Sequence, residues 1–124
     1  MPGKRAIAIL TGGAVALAAA PAVAGTPSAT KPRRLKVEVA DDFFGPAKSV
    51  VKPRTKVIWR WTDRSAGVHD VKLVRAPRGV KRFASEPGTA GYTFSRWLTK
   101  PGTYRFVCTF HISVGMQMRI TVRR

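Results

Sequence analysis

Groups able to hold a soft metal or to act as nucleophiles are scarce in this 124-residue chain. One cysteine, Cys108, and two histidines, His69 and His111, are its entire stock of thiol and imidazole. Cys108 and His111 stand in the run Cys108-Thr-Phe-His111-Ile-Ser-Val-Gly-Met116, a C-x2-H-x4-M spacing. Thiolate and thioether sulfur favour Cu(I), and imidazole serves both oxidation states. Two histidines and one cysteine with a weak axial methionine are the ligand pattern of blue copper. Taken singly, each residue has an ordinary reading: His69 as a core or surface histidine, Cys108 as a buried inert thiol, Met116 as core filler. Taken together they predict one copper site, because every cysteine and histidine of the chain falls within it.

Such a site needs a scaffold that brings distant residues to one end. After residue 34 the sequence keeps the period of two that marks half-buried strands. Leu35, Val37 and Val39 alternate with Lys36 and Glu38, and Val57, Trp59 and Trp61 alternate with Ile58 and Arg60. Short strands are also predicted at Ser49–Lys52, at Val68–Val74 (carrying His69) and around Tyr92 and Phe94, with Trp97 at its limit. Tyr104, Phe106 and Cys108 form the next, and Met116, Met118, Ile120 and Val122 the last. Pro53-Arg54, the Pro77–Gly88 stretch and Pro101-Gly102 punctuate them. About seven to eight strands at nearly regular spacing predict an all-β sandwich or barrel of antiparallel character. The one segment where a helix is plausible is Arg78–Glu86. Trp59, Trp61, Tyr104 and Phe106 are expected in the core or at its rim. Cys108 then ends one strand and Met116 opens the next, so the short loop between them gathers thiolate, imidazole and thioether.

The ligand loop followed by Arg119-Ile-Thr-Val resembles that of plastocyanin-type cupredoxins, the blue copper proteins that include amicyanin. The run Phe44-x-Pro46, Val51-Lys52-Pro53, Val57-x-Trp59 and His69 resembles the family's first half. The resemblance covers roughly Leu35–Val122. It implies a Greek-key β-sandwich with one type 1 copper ion. His69, Cys108 and His111 would be its equatorial ligands and Met116 its axial one, with the His111 edge as the route for electrons. Three positions depart from the family's pattern. Arg54 stands where glycine is frequent in a turn. Asp70 replaces an asparagine that braces the ligand loop. Met118 stands where glycine is common and could face the same way as Met116, although core packing is the expected role.

Lys4 and Arg5, the apolar run Ala6–Ala20 and Ala22-Val23-Ala24 read as an export signal over residues 1–24. Residues 25–34 read as a flexible leader and 35–124 as the domain. The expected location is periplasmic or extracellular, soluble after cleavage near Ala24, with retention as an anchor the alternative. A single cysteine excludes an internal disulfide.

Charge is lopsided: 23 Lys and Arg against 6 Asp and Glu, for a net +17. Without Lys4 and Arg5 the remainder is still about +15, enough to steer association. The expected partners are an acidic redox protein or an anionic membrane surface, weighed against a merely solvated surface. No signature of nucleic-acid binding is present, and a monomer is expected. Single-electron transfer is the leading function, with copper delivery on the same fold as the alternative. Multicopper catalysis needs more histidines than two, and no thiol-hydrolase motif appears. No catalytic residue is therefore assigned. A metal-free adhesion module would leave the cysteine and both histidines unexplained.

Overall fold

The computed structural model describes residues 31–124, together with residues 3 and 12–14. The segments read as export signal and, up to residue 30, as leader lie outside the described residues apart from those four positions. Among the described residues no helix is long and apolar enough to cross a membrane.

Alternating β-branched and aromatic residues form eight strands: β1 (Arg33–Ala40), β2 (Phe43–Gly45), β3 (Lys48–Val51), β4 (Thr55–Trp61), β5 (Lys72–Arg75), β6 (Thr93–Leu98), β7 (Gly102–Val107) and β8 (Gln117–Val122). They make two four-stranded sheets, ordered β2-β1-β4-β6 and β3-β8-β7-β5. The inward positions of both sheets meet in one core. Val37, Val39, Val57, Trp59 and Trp61 come from the first sheet, and Leu73, Tyr104, Phe106, Met118 and Ile120 from the second. The Trp59 ring lies 4.9 Å from that of Phe106 and 5.7 Å from that of Phe94. Four aromatic residues expected inside, Trp59, Trp61, Tyr104 and Phe106, are all fully buried.

The expected β-sandwich forms, but its sheets are mixed rather than antiparallel throughout. β1 pairs with β4, and β3 with β8, in parallel, while the other four pairings are antiparallel. Parallel partners need crossover connections, and periodicity within a strand carries no information about its neighbour's direction. β1 also starts at Arg33, two residues before the expected boundary, with Arg33 opposite Thr55 and Arg34 opposite Lys56. β2 was not predicted, being only three residues long. No helix forms over Arg78–Glu86, where Ala84 instead bridges to Lys72. The strand expected over Val68–Val74 begins only at Lys72, so His69 stands outside it.

Two of the three departures from the family pattern resolve in the fold itself. Arg54 takes φ of 62°, the left-handed conformation that glycine adopts most easily, so the turn keeps its shape. Met118 is buried, and its sulfur accepts the Trp59 indole N–H at 3.2 Å. A buried indole needs such an acceptor. Met118 thus serves the core, as expected.

Candidate metal centre

His69 is fixed through its backbone. It exchanges both main-chain hydrogen bonds with Gly88, at 3.0 and 2.9 Å, and its carbonyl accepts the Trp61 indole N–H at 3.0 Å. A Cβ on Gly88 would sit 2.5 Å from Cδ1 of Tyr92, so any larger residue here would have to push the Tyr92 side chain aside. The His69 side chain is completely buried.

The other candidate ligands come from the loop joining β7 to β8. The Cys108 N–H donates to the Met116 carbonyl at 3.0 Å, which closes the base of the loop. Within it, the His111 N–H donates to the Cys108 carbonyl and the Met116 N–H to the His111 carbonyl, both at 3.2 Å. A single 3-10 turn, Ile112–Val114, ends at Gly115 with φ of 80°. Cys108 and Met116 are buried, while His111 is partly exposed. Asp70 pins the loop from the neighbouring segment, accepting the Thr109 N–H at 2.7 Å and the Thr109 hydroxyl at 2.6 Å. The brace that an asparagine would provide is therefore kept by a carboxylate.

These constraints bring three donors together. His69 Nδ1 and His111 Nδ1 are 3.1 Å apart, and Cys108 Sγ lies 3.8 Å from the first and 3.5 Å from the second. The circle through such a triangle has a radius of about 2.0 Å, a metal–imidazole bond length. One ion thus fits between all three. A carboxylate stands beside the outer nitrogen of each imidazole. His69 Nε2 lies 2.7 Å from Asp41 Oδ1, and His111 Nε2 lies 3.3 Å from Asp42 Oδ1. The Asp41 carboxylate takes the His69 Nε2–H and leaves its Nδ1 as the unprotonated, metal-facing nitrogen, while the Asp42 carboxylate stands near His111 Nε2 without a hydrogen bond to it. The His69 Nδ1 lone pair thus faces the second imidazole and the sulfur, a soft donor set suited to a cation.

Asp41 is itself held, by the Gly67 N–H at 2.9 Å and the Ala66 N–H at 3.0 Å. Its carboxyl is kept below the usual carboxylate value first by the hydrogen bond from His69, then by the Gly67 and Ala66 N–H groups. Burial pushes the Cys108 thiol up, and the Asp70 charge adds to this, against backbone N–H donors at Asp70, Phe110 and His111. A metal must therefore displace the thiol proton on binding.

Of the four expected residues the structure gathers His69, Cys108 and His111 and sets Met116 at the base of their loop; sequence reasoning missed Asp41 and Asp42. A signal was available, since the chain has only six carboxylates and three of them, Asp41, Asp42 and Asp70, surround this centre.

Residues 33–123 match the family of copper binding proteins described as the plastocyanin/azurin family. The chain belongs to that family. Its cofactor is copper, which agrees with the soft donor set. Solved structures with the same fold include a pseudoazurin from Methylobacterium extorquens AM1, 24% identical, with a TM-score of 0.62 over 72% of this chain and 74% of that one. A P94F variant of amicyanin is 24% identical, with a TM-score of 0.62 over 73% and 82%. A copper-containing nitrite reductase from Thermus scotoductus SA-01 is 22% identical, with a TM-score of 0.62. It is matched over 77% of this cupredoxin but only 23% of its own length. No curated protein matches the sequence.

Proposed function

We propose that this cupredoxin is an exported one-electron carrier whose copper is held by His69, Cys108 and His111, with Met116 as the weak fourth ligand. The observation that carries the reading is the triangle of Nδ1, Nδ1 and Sγ, with each imidazole backed by its own carboxylate. Copper held there supplies a Cu(II)/Cu(I) couple.

The chain's own residues do the rest. Backbone bonds at His69 and across the Cys108–Met116 loop set the donor positions before any metal arrives, which limits rearrangement when the charge changes. Complete burial of His69 and Cys108 keeps water and oxidants from the thiolate. His111 keeps an exposed edge, with 27% of its side chain accessible. The same loop exposes Phe110, Ile112 and Val114, an apolar rim suited to brief docking with a redox partner. Such a rim lets a partner approach that edge without desolvating charge.

Delivery of copper is the weaker reading. A delivery site uses exposed clusters of soft donors, whereas Met118 is committed to Trp59 inside the core. An enzymatic role is weaker still, because the one site uses every cysteine and histidine in the chain. Cyclic voltammetry of the copper-loaded protein tests the proposal. A carrier gives a reversible one-electron wave and retains its copper through repeated reduction in the presence of a Cu(I) chelator. Loss of copper to the chelator on each reduction would favour delivery.

A further inference from the structure

The outer face of the sheet β3-β8-β7-β5 carries cations side by side. Strand register sets Lys48 opposite Arg119, Arg119 opposite Arg105, and Arg105 opposite Arg75. All four are exposed. They make one unbroken row across every strand of the sheet. Like charges directly opposite one another destabilise a sheet, and nothing on this face offsets them. None of the chain's six carboxylates lies on any of these strands, and none of the ion pairs among the described residues includes a member of the row. Arg105 is oriented instead by neutral Gln117, whose Oε1 accepts from its Nε at 3.1 Å. The other sheet is built differently. There Glu38 stands opposite Arg60 and pairs with Arg64.

The geometry points to this row as the docking site for an acidic, carboxylate-rich segment of a partner protein. It deepens the carrier reading by naming where such a partner sits, to one side of the His111 edge. Three inter-strand steps of about 4.8 Å make a row of about 14 Å, which some four or five residues of extended chain would span. The row lines a cavity of about 460 Å³ that reaches Gly115 in the ligand loop. A concave floor receives a chain segment better than a flat bilayer. Guanidinium groups, three of the four cations, match carboxylates in bidentate geometry. The metal end cannot serve this purpose, because Asp41, Asp42 and Asp70 are gathered there.

The test titrates reduced, copper-loaded, 15N-labelled protein with a hexaglutamate peptide, at low and at physiological salt. Amide shifts concentrated on β3, β5, β7 and β8 are expected, weakening as salt rises. Binding should fall about tenfold or more in Arg105→Gln/Arg119→Gln. It should change less than twofold in the charge-matched Lys36→Gln/Arg60→Gln on the other sheet. Equal weakening in both variants, or shifts spread over both sheets, overturns the site in favour of net charge alone. So does an absence of peptide shifts combined with binding to phosphatidylglycerol vesicles that the arginine double variant loses. The visible spectrum is read on the oxidised form of each sample. Peptide docking that persists in protein lacking a copper–thiolate band refutes the carrier reading and leaves this surface standing.

Discussion

Asp70 offers the sharpest test of how the ligand loop is held. Its carboxylate is buried, and it accepts two short hydrogen bonds from Thr109, at 2.7 and 2.6 Å. Bonds to a charged acceptor contribute about 1.5–3 kcal/mol each. Thr109 is exposed, so its N–H and hydroxyl recover water when the carboxylate is removed. The net cost of Asp70→Ala should then be about 2 kcal/mol. For a domain of this size that lowers the melting temperature by about 8–16 °C. Asp70→Asn behaves differently. Its amide oxygen keeps the Thr109 N–H, and its NH2 donates to the hydroxyl, which turns from donor to acceptor. Stability should stay within about 1 kcal/mol of the parent. Removing the negative charge beside Cys108 also eases thiolate formation and raises the reduction potential. Circular dichroism melts of the metal-free proteins, with potentiometry of the loaded ones, measure both effects. If Asp70→Ala melts within about 2 °C of the parent, or Asp70→Asn falls as far as Asp70→Ala, the bracing argument is wrong.

Three further outcomes follow from the same geometry. Asp41→Asn leaves His69 Nε2 without its carboxylate, so copper affinity should drop about 10–100-fold. Nitrogen NMR of the metal-free variant should then show His69 less uniformly protonated at Nε2, and an unchanged affinity with one tautomer would contradict the role. Met118→Leu strands the buried Trp59 N–H and should cost about 1–3 kcal/mol while leaving the copper spectrum intact. Met116→Leu should shift both band and potential, and the reverse pattern would exchange the two methionines' roles. The Glu38 carboxyl is held low by hydrogen bonds from Arg64 and Thr62. Its contribution is present at neutral pH and fades as pH falls through that lowered value. Glu38→Gln should therefore be less stable than the parent at neutral pH and equal to it in strong acid, as read from urea midpoints.

The parts legible in the sequence were those encoded locally. Alternation in Val57–Trp61, Tyr104–Cys108 and Met116–Val122 marked strands that exist, and their inward residues are the core. The C-x2-H-x4-M run identified the ligand loop because a turn that short must keep its residues together. Long-range features escaped. Nothing within β1 or β3 encodes a parallel neighbour, since side-chain period is the same in either direction. His69 lay in an apparently strand-like run, yet its position depends on a bridge to Gly88, nineteen residues on. Arg54 in a left-handed turn and Asp70 in place of asparagine looked like disruptions, because residue type was visible and backbone conformation was not. Asp41 and Asp42 follow a strand with no motif around them, and only the fold brings them to the two imidazoles.

The most direct test of the central claim is titration of the metal-free protein with Cu(II), followed by visible absorption and electron paramagnetic resonance. The ligand set requires an intense thiolate-to-copper band with compressed hyperfine splitting, saturating at one copper per chain and absent in Cys108→Ser. A pale, tetragonal spectrum, or a band that survives Cys108→Ser, would contradict it.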